Sequence, residues 1–177
     1  MIRKLSEKDF DRFFSYLKWH LSENGAEGLF FQPPTNGDPF SAEKMTAYIG
    51  GLDVPVGQPG WRRAWFAEGV AGEIIGHIDL RARPEPCTEH RALLGMGVSS
   101  TCRRAGIGRK LAEFVFCWAR ESSVIDTIDL AVLSCNLPAI RLYEGLGFTK
   151  VSEIPDMFTI NGAVHGDIQM TKPMQSA

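Results

Sequence analysis

The sequence predicts an α/β domain in which a mixed sheet carries helices on both faces. Three observations carry that expectation. Met96-Gly97-Val98 reads as the end of an apolar strand that runs into a basic glycine loop and then into an amphipathic helix. Thr127 to Leu133 alternates, is rich in branched residues, and leads through Asn136 and Pro138 into a further helix. Asn161-Gly162 between strand-like runs is a hairpin signal. A strand, helix, strand order sets the strand ending at Val98 parallel to the one ending near Ser134.

Taken in order, Ile2 to Leu5 reads as a short strand. Ser6 then caps a helix whose Phe10, Phe13, Phe14, Leu17 and Leu21 recur on one face, and Asn24-Gly25 ends it. Residues 28–40 form a proline-containing loop whose Phe30, Phe31 and Phe40 either wall a pocket or fill a core beneath the loop. Ser41 caps a second helix carrying Met45, Tyr48 and Ile49. Arg63 to Ala67 and Ile74 to Leu80 form an antiparallel pair turned at Gly69 to Gly72, and Arg91 to Val98 is the next strand. From Ile107 to about Glu121 the chain buries Ile107, Leu111, Phe114, Val115 and Trp118 on one stripe, while Arg109, Lys110, Glu113 and Arg120 face out. Ile140, Tyr143 and Leu146 recur at helical spacing before Gly147 stops that helix. Phe158 to Val164 and Asp167 to Thr171 complete the hairpin.

A chain of 177 residues fits one domain spanning residues 1–177, and 44% hydrophobic with 23% charged residues excludes a disordered class. A net charge of -2 argues against a general nucleic-acid binder, which needs clustered positive charge. Cys87, Cys102, Cys117 and Cys135 show no C-x-x-C spacing and build no zinc pattern with His20, His77, His90 or His165. No metal is therefore expected, and free thiols suit a reducing compartment. The first residues carry no apolar signal core and no run approaches about 18 apolar residues, so a cytoplasmic protein without a membrane partner is expected.

Arg103-Arg104-Ala105-Gly106-Ile107-Gly108 reads as a pyrophosphate cradle. Successive N–H groups on such a loop turn inward, the following helix adds its positive end, and arginines stand beside both. Cations at a helix N-terminus oppose the dipole unless an anion joins them. The dinucleotide pattern needs Gly or Ala at position 111, where Leu111 stands; the ATP loop needs Gly-Lys-Ser/Thr, whereas Gly108 is followed by Arg109-Lys110-Leu111. Both common nucleotide readings fail.

The loop fits R-x-x-G-x-G, and Asn136 to Phe148 fits N-x-x-A-x-x-L-Y-x-x-x-G-F after a strand. In these two segments, Met96 to Gly108 and Asn136 to Phe148, the chain resembles the GNAT N-acetyltransferases. The resemblance implies a mostly antiparallel sheet and acetyl-CoA as acyl donor. It implies that pantetheine lies between two splayed strands against Met96, Gly97 and Val98, that the pyrophosphate sits on Arg103, Arg104, Ala105, Gly106, Ile107, Gly108 and Arg109, and that Asn136, Ala139 and Tyr143 approach the arm. An amine would attack the thioester directly in a ternary complex, the oxyanion would meet a backbone N–H near Val98, and Tyr143 would give its proton to sulfur. Read alone, Asn136 is equally a helix-start residue and Tyr143 a core aromatic.

The base is less determined, because some family members carry a carboxylate on the strand before the glycine loop and Ala92 to Val98 has none. Glu89 and His90 at the beginning of that strand are the first candidates, with His77 and Asp79 on one face of its neighbour behind them. A small-molecule primary amine is the expected acceptor. A protein N-terminus is the alternative, since Leu94 to Phe148 also looks like ribosomal-protein acetyltransferases. The missing strand carboxylate favours a further alternative, a non-catalytic acyl-CoA binding module. Pairing through sheet edges, common in such domains, allows a homodimer.

Overall fold

A computed structural model describes residues 1–34, 37–38, 40–122 and 124–174; Thr35, Asn36 and Pro39 of the expected 28–40 loop lie outside the described residues. The chain enters through β1 (Ile2–Lys4), α1 (Phe10–Ser22) and α2 (Ala42–Asp53), then crosses β2 (Arg62–Glu68), β3 (Ile74–Ala82) and β4 (Arg91–Val98). It continues through α3 (Ile107–Glu121), β5 (Thr127–Leu133), α4 (Leu137–Gly145), β6 (Thr149–Ile160) and β7 (Ala163–Pro173). One seven-stranded sheet runs in the order β1-β2-β3-β4-β5-β7-β6. Every neighbouring pair is antiparallel except β4 and β5, which α3 connects as a parallel crossover.

That parallel pair is short. It holds register only at Arg91↔Thr127, Ala92↔Ile128 and Leu93↔Asp129. Beyond it Leu94 to Val98 stays on β3, and Leu130 to Leu133 stays on β7. The sheet therefore splits at the carboxyl ends of the two parallel strands, where ligands of open α/β sheets bind.

β2 shows how the two faces are filled, because alternate side chains leave a strand on opposite sides. Ala64 and Phe66 pack under α1 and α2 with Phe13, Phe14, Leu17 and Tyr48. Trp65 and Ala67 pack under α3 and α4 with Ile78, Leu80, Leu111, Val115, Ile128 and Leu130. Each such large side chain, withdrawn fully from water, contributes roughly 1.5–3 kcal/mol before ordering costs are counted.

Three local expectations need correction. Ser6 caps no helix N–H; its hydroxyl donates to the Asp9 carboxylate, and a 3-10 turn over Glu7–Asp9 precedes α1. Ser41 does cap α2, accepting from the Lys44 N–H. On α1 the buried stripe is Phe13, Phe14, Tyr16, Leu17 and His20, so a histidine holds the place assigned to Leu21. On α3, Phe116 is buried while Phe114 is 42% exposed and rests its edge on Trp65.

Candidate active site

The split between β4 and β5 opens a row of backbone donors. The Ser99 N–H bonds the Ile75 carbonyl on β3. By antiparallel alternation the N–H groups of Met96 and Val98 then point the other way, into the split. The glycine loop stands at its mouth. Arg104 and Gly106 both take left-handed backbone conformations, at φ 62° and 77°, and Gly106 is the N-cap of α3. Among the described residues the N–H groups of Arg104, Ala105, Gly106, Ile107, Gly108 and Arg109 find no acceptor in the protein. Six unpaired N–H groups at a helix start fit a pyrophosphate. A Cβ at Gly108 would stand 3.0 Å from Leu142, so glycine there lets α3 and α4 close together at this end.

The arginines divide their work. Arg103 donates through Nε to the Val98 carbonyl at 3.3 Å and faces Glu23 at 3.6 Å. Arg104 is exposed beside the loop. The Arg109 guanidinium turns away to the Gly145 carbonyl at 3.2 Å and to Glu113, so only its backbone N–H belongs to the cradle.

A cavity of about 800 Å³ runs from the split to the opposite sheet face. On the split side it meets Met96, Ala131, Asn136, Ala139 and Tyr143. The Asn136 Oδ1 accepts from the Ala139 N–H at 3.2 Å, capping α4, and the buried residue lines the cavity. Tyr143 packs edge-on to Phe148 at 5.7 Å, and among the described residues its hydroxyl has no protein partner. Burial pushes its pKa up to about 12.

On the other side, His20, Phe31, Phe40, Tyr48, Arg62, His77, Asp79 and Arg81 line the cavity. This places Phe31 and Phe40 in the wall and Phe30 outside it. Asp79 Oδ2 is shared by Arg81 at 3.1 Å and Arg62 at 3.3 Å, and Arg62 lies over the Tyr48 ring at 4.0 Å. His77 Nδ1 sits 3.3 Å from the Tyr16 hydroxyl. Gly97 has no room for a Cβ, which would collide with both His20 and His77; Gly95 has none either, because of Asp79 and Arg81. These two glycines carry this wall of the cavity onto bare β4 backbone.

Glu89 and His90 are not brought here. Both are exposed at the opposite end of β4, where the His90 carbonyl accepts the Asp126 N–H. Eight residues of strand separate His90 from Val98, about 26 Å at the usual rise. The expectation failed because nearness in sequence to a strand does not tell which of its ends the site occupies. Sequence reasoning also passed over His20, Arg62 and Arg81. A titratable residue seven positions from Phe13 on an apolar helix stripe was the available signal for His20. Among the described residues no three metal-ligating side chains converge, and no helix is long and apolar enough to cross a membrane.

Residues 28–148 match the profile of the acetyltransferase (GNAT) family. L-amino acid N-acetyltransferase AaaT of Escherichia coli K12 is 30% identical over 83 residues, which is 45% of this chain and 49% of that protein. N-acetyltransferase family 8 member 2 of Rattus norvegicus is 32% identical over 88 residues, 49% of this chain and 38% of that protein. The matches thus span about half the length of these relatives or less. A GNAT-family acetyltransferase from Streptococcus pneumoniae superposes with a TM-score of 0.81 over 98% of each chain at 21% identity. A Salmonella typhimurium protein, yncA, solved with its cofactor acetyl-CoA, superposes with a TM-score of 0.80 over 100% of this chain and 95% of that one at 16% identity. With both sequence motifs converging on one split sheet and the family profile covering most of the chain, this protein belongs to the GNAT family of acetyltransferases.

Proposed function

We propose that this protein transfers an acetyl group from acetyl-CoA to the primary amine of a small molecule, by direct attack in a ternary complex, with residues 1–177 acting as one domain. The observation that carries the reading is the split between β4 and β5, which joins the donor-rich glycine loop to a walled cavity on the far sheet face. Acetyl-CoA would lay its pantetheine arm along Met96 and Val98, replacing the lost β5 partner, with its pyrophosphate on residues 103–109. The thioester carbonyl then meets the Val98 N–H, a fixed donor where negative charge develops. The amine enters from the α1 and α2 side, and Tyr143 stands on the sulfur side.

A concave cavity of about 800 Å³, lined on this side by Phe31, Gln32 and Pro33, suits a small acceptor better than a polypeptide end. Two arginines sharing one aspartate leave a positive charge in the acceptor wall, which fits an amine that also bears a carboxylate. The name of the E. coli relative, an L-amino acid N-acetyltransferase, points the same way.

Calorimetric titration with acetyl-CoA, coenzyme A and NAD tests the donor. Micromolar acetyl-CoA binding without NAD binding is expected, followed by turnover in a screen of amines. Acetyl-CoA binding with no turnover on any amine would leave a binding module instead. Arg103→Ala is expected to weaken coenzyme A roughly tenfold or more, while an acetyl-pantetheine fragment lacking phosphates binds as before. Equal loss on both ligands would indicate damage to the loop fold. Arg81→Met is expected to raise KM about 10–100-fold for a carboxylated amine and to leave its carboxamide analogue nearly unaffected. Equal effects on the two acceptors would remove the carboxylate contact.

A further inference from the structure

His20 sits at 4% exposure in the wall of the acceptor cavity. Phe31 stacks on its ring at 4.7 Å, and Tyr16 lies nearly parallel to it at 5.9 Å, so the imidazole plane is fixed. Its Nε2 lies over Gly97, 2.3 Å from the position a Cβ on that residue would take. Gly97 immediately precedes Val98, whose N–H points into the split. The imidazole thus packs against the glycine next to Val98, in the cavity that also borders Met96.

The other ring nitrogen is buried and has no hydrogen-bond partner; Glu23 Oε2 stands 3.7 Å from it. A proton placed on Nδ1 faces that carboxylate, and this tautomer leaves the lone pair on Nε2. Glu23 is itself fixed, accepting from the Ser100 hydroxyl and N–H and facing Arg103 at 3.6 Å. The groups around the imidazole are Tyr16 on α1, Glu23 at its C-cap, His77 on β3 and Arg103 after β4. His77 is the poorer candidate because its Nδ1 is engaged with Tyr16 and its Cε1 faces Gly97.

We infer that His20 is the general base of the transfer, with Glu23 as the positioning residue that sets its tautomer. This inference rests on the acetyltransferase reading above. A neutral amine attacks the thioester carbon, forming the C–N bond and leaving a cationic nitrogen and an oxyanion. Nε2 takes one proton from that nitrogen. The C–S bond then breaks, sulfur receives the Tyr143 proton, and the phenolate recovers a proton from the imidazolium through water. Amine and acetyl-CoA become amide and coenzyme A, and both side chains return to their starting states. Burial lowers the His20 pKa to about 4, Glu23 opposing and Arg103 assisting the shift, so the lone pair is free at neutral pH. Imidazolium formed in the reaction gains from the Glu23 carboxylate.

The test compares His20→Phe, which keeps the aromatic stack, with His20→Ala, which leaves a hole of imidazole size. Both are expected to bind acetyl-CoA like the parent by calorimetry and to lose about 100-fold or more in kcat. Added imidazole should restore part of the turnover of His20→Ala and none of that of His20→Phe. Glu23→Gln should lower kcat with little change in KM for the amine, and Glu23→Asp should recover part of it. A purely packing role predicts the reverse, an active His20→Phe and no rescue of His20→Ala, and either result overturns the assignment. A parent protein that binds acetyl-CoA but acetylates no amine overturns the acetyltransferase reading itself; an active parent with an active His20→Phe overturns only the base.

Discussion

Tyr143→Phe is expected to lower kcat about 1,000-fold while acetyl-CoA affinity and folding stability stay nearly unchanged. The stability half follows from a hydroxyl that borders the cavity and bonds nothing in the protein. Among the described residues the hydroxyl has no protein partner, so removing it strands no donor or acceptor, and the ring keeps its edge on Phe148. The kinetic half follows from what the hydroxyl faces. It lines the split just where sulfur would lie if pantetheine follows Met96 and Val98. Burial disfavours the phenolate and raises the pKa to about 12, so the group is loaded with its proton at every working pH. A thiolate is less basic than that phenolate, with an ordinary thiol pKa of about 8.5. The phenol therefore helps most while the C–S bond is breaking, when its hydrogen bond strengthens with the growing charge on sulfur. No alkaline limb below about pH 11 should come from Tyr143. Steady-state kcat and calorimetric titration of the variant check both halves. Turnover equal to the parent would remove Tyr143 as the acid, and a matching loss of acetyl-CoA affinity would make it a binding contact instead.

What was legible in the sequence was what is local. The cradle at 103–108 and the Asn136 cap on α4 are each written in a few consecutive residues, because turn geometry and helix capping depend on near neighbours. The parallel pairing of β4 with β5 followed from the helix between them. The meeting of His20, Arg62 and Arg81 in one cavity wall was not legible, because it is assembled from α1, β2 and β3 at separations no periodicity encodes. His20 meets Gly97 only after β3 and β4 have paired and α1 has packed across them. Strand β6 escaped for a different reason. As the outer strand it is exposed on both faces, so Thr149 to Met157 shows no apolar alternation, and its pairing with β7 slips between Ile154 and Phe158.

Asp129→Ala is expected to cost about 3 kcal/mol of stability, lowering Tm by roughly 6–12 °C. Asp129 is 5% exposed on β5, at the last pair before the strands part. Arg91 on β4 holds both its oxygens, at 2.8 and 2.6 Å, Arg83 adds a bond at 3.0 Å, and the Thr171 hydroxyl on β7 donates at 2.8 Å. One carboxylate thus joins β4, β5 and β7 at the root of the split. Removing it leaves two guanidiniums facing each other, a penalty of about 3–5 kcal/mol for a buried pair. The low end applies because Arg83 retains Glu85 and the Arg91 side chain is 33% exposed, so water recovers part of the charge. Burial alone would raise the Asp129 pKa; hydrogen bonds from Arg91 and Thr171 and the arginine charges outweigh it, and the pKa is lowered. A depressed carboxyl stabilises the fold above its unfolded value, about 3.9, and loses that contribution as the pH falls through the folded value. The gap in Tm between parent and variant should therefore hold constant above about pH 5 and close in stronger acid. A constant gap down to pH 2 would mean that Asp129 acts through packing rather than charge. Because the carboxylate fixes where β4 and β5 separate, the same variant should also lose affinity for acetyl-CoA at temperatures where it remains folded. Unchanged affinity there would show that the split is held open by β3 and β7 alone.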